Sequence, residues 1–157
     1  MAPKSVTETC YACERPASKP DAVGAQLRGH VFVIEDNANV RGSLEAMLRD
    51  WGCAPAPVAS GEFAIGLAER EQFGFDAIVV DYRLGAGLTG VDAAREISLR
   101  VGRAVPTLVL TGDTGKAQIT EIEDSGFTVL HKPMEAHALR RELAILLKAR
   151  SPVEQQA

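Results

Sequence analysis

With 157 residues and 46% hydrophobic content, the chain can bury one core of ordinary size, so one domain with tails is expected. A net charge of −4, with basic residues spread along the chain, points away from a nucleic-acid surface. No apolar run approaches the ~20 residues of a membrane helix, the first residues lack the apolar centre of a signal peptide, and three cysteines are too few for a disulfide framework; a cytoplasmic protein is expected.

Residues 1–28 are polar, carry Pro3, Pro16 and Pro20, and read as a mobile leader or linker. Cys10 and Cys13 within it form a single Cys-x-x-Cys pair. One pair supplies only half of a structural zinc site, so accidental spacing is favoured over zinc bridging two chains. A first strand, Val31 to Ile34, ends at Glu35 and Asp36, and a helix follows from Asn37, a good N-cap, to Gly52. Val40, Leu44, Met47, Leu48 and Trp51 give that helix one apolar face. The strand Ala54 to Val58 contains Pro55 and Pro57, which cannot donate ladder hydrogen bonds, so it belongs at a sheet edge.

A helix from Ser60 to Glu71 leads to the buried strand Ala77 to Val80, which ends in Asp81. Tyr82 to Thr89 is a loop, and a third helix covers Val91 to Val101. The fourth strand, Val105 to Leu110, ends at Thr111, and a helix runs from Gly115 to Ser125. The fifth, Val129 to His131, leads into Lys132 and Pro133. A last helix packs on Leu139, Leu143, Leu146 and Leu147, and residues 151–157 form a polar tail. His30, His131 and His137 have no ligand spacing and read as surface or loop residues.

Five β-α units imply an α/β fold with a doubly wound, five-stranded parallel sheet. The proline-bearing second strand favours the order 2-1-3-4-5, which brings Glu35, Asp36 and Asp81 to the switch point. Carboxylates gathered there repel one another unless a divalent cation lies between them, and hard oxygen donors suit Mg²⁺. A metal and a phosphoryl group are the expected ligands. Taken singly, each residue has a plain reading: an Asp at a strand end is often a turn residue, the acidic pair could favour a helix N-terminus, Thr111-Gly112-Asp113 is ordinary turn chemistry, and Lys132 could be a surface residue. All of these would have to hold together to remove the site.

Glu35-Asp36, Asp81, Thr111 and Lys132-Pro133, each at its strand end and in this order, resemble the receiver domain of two-component response regulators. The resemblance covers about His30 to Arg150 and implies a flavodoxin-like receiver domain over residues 29–150. It implies that Asp81 accepts a phosphoryl group from a sensor histidine kinase or a histidine phosphotransfer protein, the domain catalysing only its own phosphorylation and dephosphorylation. By the same resemblance Asp36 and Asp81 bind Mg²⁺, with Glu35 acting through water and the main-chain carbonyl of Arg83 completing the set. Lys132 and the Thr111 hydroxyl would hold the phosphoryl oxygens, and Pro133 would fix Lys132 through a cis peptide bond. The implied partners are that kinase or phosphotransfer protein and a downstream protein target, with no nucleic acid and no membrane; a homodimer is compatible but not required.

Three departures stand out. The first acidic position is Glu35, a frequent variant for Asp. The loop after Asp81 is one residue longer than the common pattern and lacks its proline, as in receivers attached to hybrid histidine kinases. Val129 stands where the family usually has a switching aromatic, so coupling is expected to be weaker or to run through the 113–116 loop. Two other readings stay open: an unphosphorylated interaction module, and a phosphohydrolase resembling the haloacid dehalogenases, against which Arg83 stands where a second Asp is needed.

Overall fold

The computed structural model describes residues 26–71, 74–85, 87–112 and 114–149. Most of the leader, with Cys10 and Cys13, lies outside the described residues, as do Asp113 and the tail. Strands and helices alternate: β1 (His30–Ile34), α1 (Ala38–Asp50), β2 (Ala54–Val58), α2 (Gly61–Glu71), β3 (Ala77–Asp81), α3 (Gly90–Val101), β4 (Thr107–Thr111), α4 (Lys116–Asp124), β5 (Thr128–His131) and α5 (Ala136–Lys148). The strands form one sheet in the order β2-β1-β3-β4-β5, and every pairing is parallel. This is the doubly wound, flavodoxin-like fold that the element pattern implied.

β2 lies at the edge and pairs with β1 alone, with Val31 opposite Pro55 and Val33 opposite Pro57. Neighbouring amides carry this ladder: Ala54 N donates to Gly29 O, and Glu35 N donates to Val58 O. A parallel strand sends alternate residues' backbone groups to opposite sides, so both prolines fall on the side that needs no donor.

Alternation along the central strands feeds two cores. On one face Phe32, Ile34, Ile78, Val80 and Val109 pack under α2 and α3 with Val91, Ile97 and Ile122. Phe75 joins them and stacks on Phe32, with ring centroids 3.9 Å apart. On the other face Val31, Val33, Val79, Leu108 and Leu110 meet Leu44 and Leu48 of α1 and Leu139, Leu143 and Leu147 of α5. Each large side chain buried in this way contributes on the order of 1.5–3 kcal/mol. Leu27 packs against the second core, and its amide donates to the Trp51 carbonyl at 2.8 Å, so the globular body reaches back to the end of the leader.

The helix starts follow local chemistry. Asn37 caps α1, its side chain accepting from the amides of Asn39 and Val40. Thr89 and Asp92 form a capping box on α3, satisfying two otherwise orphaned donors. His30, His131 and His137 are exposed, as read from the sequence. Among the described residues, no helix is long and apolar enough to cross a membrane.

Cys53 sits in the second core, and burial pushes its thiol up to about 11. At pH 8 such a thiol is thiolate in about one molecule in a thousand. Iodoacetamide labelling at that pH, read by peptide mass spectrometry, is expected to leave Cys53 unmodified in the native protein and to alkylate it in urea. Rapid labelling of the native protein would show that this part of the core opens readily.

Candidate functional site

The C-terminal ends of β1 and β3 lie side by side, and the residues that follow them build one open cleft. It is lined by Glu35, Asp36, Asn37, Val40, Asp81, Arg83, Gly85 and Lys132. Five residues singled out in the sequence (Glu35, Asp36, Asp81, Arg83 and Lys132) therefore share one site. Glu35, Asp36 and Asp81 can each place a carboxylate oxygen within 4.8 Å of the others. Three hard oxygen donors at that spacing suit a small divalent cation, so the residues present fit Mg²⁺.

Lys132 brings a positive charge against two of these carboxylates. Its ammonium lies 3.1 Å from Asp81 Oδ1 and 3.4 Å from Glu35 Oε2. Burial works against that ammonium, but the hydrogen bond and charge of Asp81, and then Glu35, outweigh it and hold its pKa above the ordinary value. Lys132 N donates to Thr111 O at 2.8 Å, and the Lys132–Pro133 peptide bond is cis.

Glu35 is buried, with 1% of its surface exposed. Its Oε1 accepts from the Asn37 amide at 3.1 Å, and Arg41 donates to its carbonyl oxygen at 2.8 Å. Burial raises its pKa; the Asn37 hydrogen bond opposes that shift, while the charge of Asp81 adds to it. A carboxyl whose folded pKa lies above its unfolded value binds its proton more tightly when folded. Its ionisation therefore costs stability as pH rises from about 4.5 through the folded pKa. Without divalent cation, Glu35→Gln is expected to lose less stability than the wild type across that window. Urea unfolding at stepped pH checks this, and parallel curves would remove Glu35 as the cause.

Thr111 and Val129 lie beside the cleft without lining it. Thr111 ends β4 on the strand next to Asp81 and is buried. Val129 pairs with Val109, is half-buried and packs against the first core. Two described residues of the loop after Asp81 are anchored. Leu84 enters the first core, and the Glu62 carboxylate on α2 accepts from the Leu88 amide at 3.4 Å.

Two residues that sequence reasoning passed over shape the site. At Gly90 a Cβ would overlap the Asp81 carbonyl oxygen and approach Val80 Cγ2 to 2.9 Å, so only glycine lets α3 start this close to Asp81. The signal was available in Thr89-Gly90-Val91-Asp92, a capping box around a glycine. Tyr82, read as a loop residue, sends its hydroxyl to Glu121 Oε1 of α4 at 2.9 Å. No sequence period marks a contact over that separation.

The fold and the cleft define a doubly wound α/β domain with an acidic, cation-suited pocket at its switch point. The family model for the response regulator receiver domain matches residues 31–144. The receiver domain of sensor histidine kinase PA1611 from Pseudomonas aeruginosa PAO1, solved with a magnesium ion coordinated in its active site cleft, is 33% identical; the match covers 78% of this chain and 100% of that one, with a TM-score of 0.68. Chemotaxis protein CheY4 of Vibrio cholerae is 24% identical over 76% of this chain and 99% of its own, with a TM-score of 0.67. The Francisella response regulator 1452 receiver domain shares the fold at 21% identity, over 76% and 97% of the two chains, with a TM-score of 0.67. The chain belongs to the response regulator receiver domain family, a module of two-component signalling.

Proposed function

We propose that this domain accepts a phosphoryl group on Asp81 and changes its protein contacts in response. The observation that carries the reading is the convergence of Glu35, Asp36, Asp81 and Lys132 on one cleft at the switch point. A carboxylate oxygen of Asp81 forms a bond to phosphorus while the bond from phosphorus to a phosphohistidine nitrogen breaks. The product is an acyl phosphate, and the released imidazole takes up a proton.

The residues around Asp81 set the electrostatics of that transfer. Lys132, already beside the Asp81 carboxylate, would follow the transferred oxygens as a point charge. Thr111, one strand away, would donate its hydroxyl to another of them. Asp36 and Asp81 would hold Mg²⁺, with Glu35 reaching it through water and the Arg83 carbonyl completing the protein ligands; the magnesium in the PA1611 receiver supports this assignment. When bound, the metal supplies charge neutralisation for the incoming phosphoryl group. The donor would be a sensor histidine kinase or a histidine phosphotransfer protein, and the output a protein contact.

Intact-protein mass spectrometry after incubation with Mg²⁺ and acetyl phosphate tests the reading. One added phosphoryl group, removed by hydroxylamine as an acyl phosphate would be, is the expected result. No adduct from acetyl phosphate or from a phosphorylated phosphotransfer domain would leave the domain as an unphosphorylated interaction module.

A further inference from the structure

α4 is poorly equipped to hold itself in place. It has nine residues, fewer than the ~12–15 at which an isolated helix becomes even marginal in water. Its N-cap is Gly115, which offers no side-chain hydrogen bond. Its charges run against the helix dipole: Lys116 sits in the first turn, while Glu121, Glu123 and Asp124 crowd the last. Ile122 is its buried residue. The position of α4 therefore depends on contacts with the rest of the domain.

One of those contacts begins at the acidic cleft. Tyr82 follows Asp81 directly, and its backbone is pinned on both sides: its amide donates to Leu110 O and its carbonyl accepts from Gly90 N, each at 2.8 Å. From that fixed base the ring packs against the first core, and the hydroxyl donates to Glu121 Oε1 at 2.9 Å. A second tether, Arg95 to the Ser125 hydroxyl at 2.9 Å, ties the far end of α4 to α3 and does not touch the cleft.

We propose that the Tyr82–Glu121 hydrogen bond is the latch that holds α4 while Asp81 is unmodified, and that phosphorylation of Asp81 releases it. This rests on the phosphoacceptor reading above. A phosphoryl group brings new negative charge to the residue next to Tyr82, and negative charge there disfavours the Glu121 carboxylate that Tyr82 holds. The latch uses side chains that need no aromatic at position 129, where this chain carries valine. Two attributes are separable: the hydroxyl makes the bond, and the carboxylate charge makes the bond responsive.

Hydrogen exchange of the α4 amides in the full chain, with α1 as the internal control, distinguishes them. Spectra are taken in Mg²⁺ alone and in Mg²⁺ with beryllofluoride as the phosphoryl analogue. In the wild type, beryllofluoride is expected to speed α4 exchange about tenfold, the scale of one lost charged hydrogen bond. Tyr82→Phe, which removes only the hydroxyl, should exchange at the faster rate already in Mg²⁺ alone. Glu121→Gln keeps an acceptor without its charge and should stay protected in both conditions.

Wild-type protection of α4 in unliganded Tyr82→Phe would overturn the latch, and a full beryllofluoride response in Glu121→Gln would overturn its electrostatic release. Bound-fluoride resonances in ¹⁹F NMR report cleft occupancy separately. If they are missing in the wild type, the phosphoacceptor reading and the release fall together. The unliganded Tyr82→Phe comparison still decides whether the bond holds α4.

Discussion

Asp81→Asn is expected to abolish the phosphoryl adduct and, without divalent cation, to make the protein more stable. The first effect follows from chemistry, because a carboxamide is far too weak a nucleophile toward phosphorus. The second follows from the charges in the cleft. Asp81 is one of three clustered carboxylates, so neutralising it removes two repulsions, with Glu35 and Asp36, against the attraction to Lys132. The balance is worth about 1 kcal/mol at the effective dielectric of such a site. Thermal unfolding in EDTA should show a midpoint a few degrees higher than in the wild type. In Mg²⁺ the order should narrow or reverse, because the variant would offer the cation one carboxylate fewer and gain less from mass action. A lower midpoint in EDTA would mean that the Lys132 contact outweighs the repulsions. An adduct surviving in the variant would place the acceptor on another residue.

Gly90→Ala is expected to damage both fold and site although Gly90 makes no side-chain contact. Its amide donates to the Tyr82 carbonyl at 2.8 Å, which draws the first turn of α3 against the end of β3. An added methyl group would overlap the Asp81 carbonyl oxygen and lie 3.0 Å from its carbon. These are backbone atoms of a buried strand and cannot swing aside. The expected cost is about 2 kcal/mol, in the range for overpacking a filled core, read as a shift in the urea midpoint. The same displacement moves Asp81 relative to Glu35 and Asp36, so Mg²⁺ affinity should fall roughly tenfold or more. Wild-type values for both would show that α3 can slide without disturbing the strand.

Most of the architecture was legible because it rests on rules that are local in sequence. The alternation of apolar runs and amphipathic stretches marked ten elements, and Pro55 and Pro57 placed β2 at the edge. Strand order then brought Glu35, Asp36, Asp81, Arg83 and Lys132 into one cleft. What stayed hidden depends on close approach between distant segments. The need for glycine at position 90 comes from the Asp81 carbonyl across a turn, not from backbone conformation. The Tyr82–Glu121 contact spans two β-α units, and the stacking of Phe75 on Phe32 joins the lead-in to one strand with the middle of another. Val129 departs from the family pattern, but a valine packed against the first core does not indicate which other side chain reaches α4.

The prolines of β2 also decide how this molecule meets its own copies. A second chain aligned along the outer side of β2 would find no amide at residues 55 and 57, the two positions of the strand whose backbone groups face outward, so an intermolecular ladder there would have no donor from β2. Edge prolines of this kind disfavour pairing of that flank with a neighbouring sheet. The opposite edge, β5, carries no proline, so the two flanks of one sheet differ in what they offer a neighbouring chain.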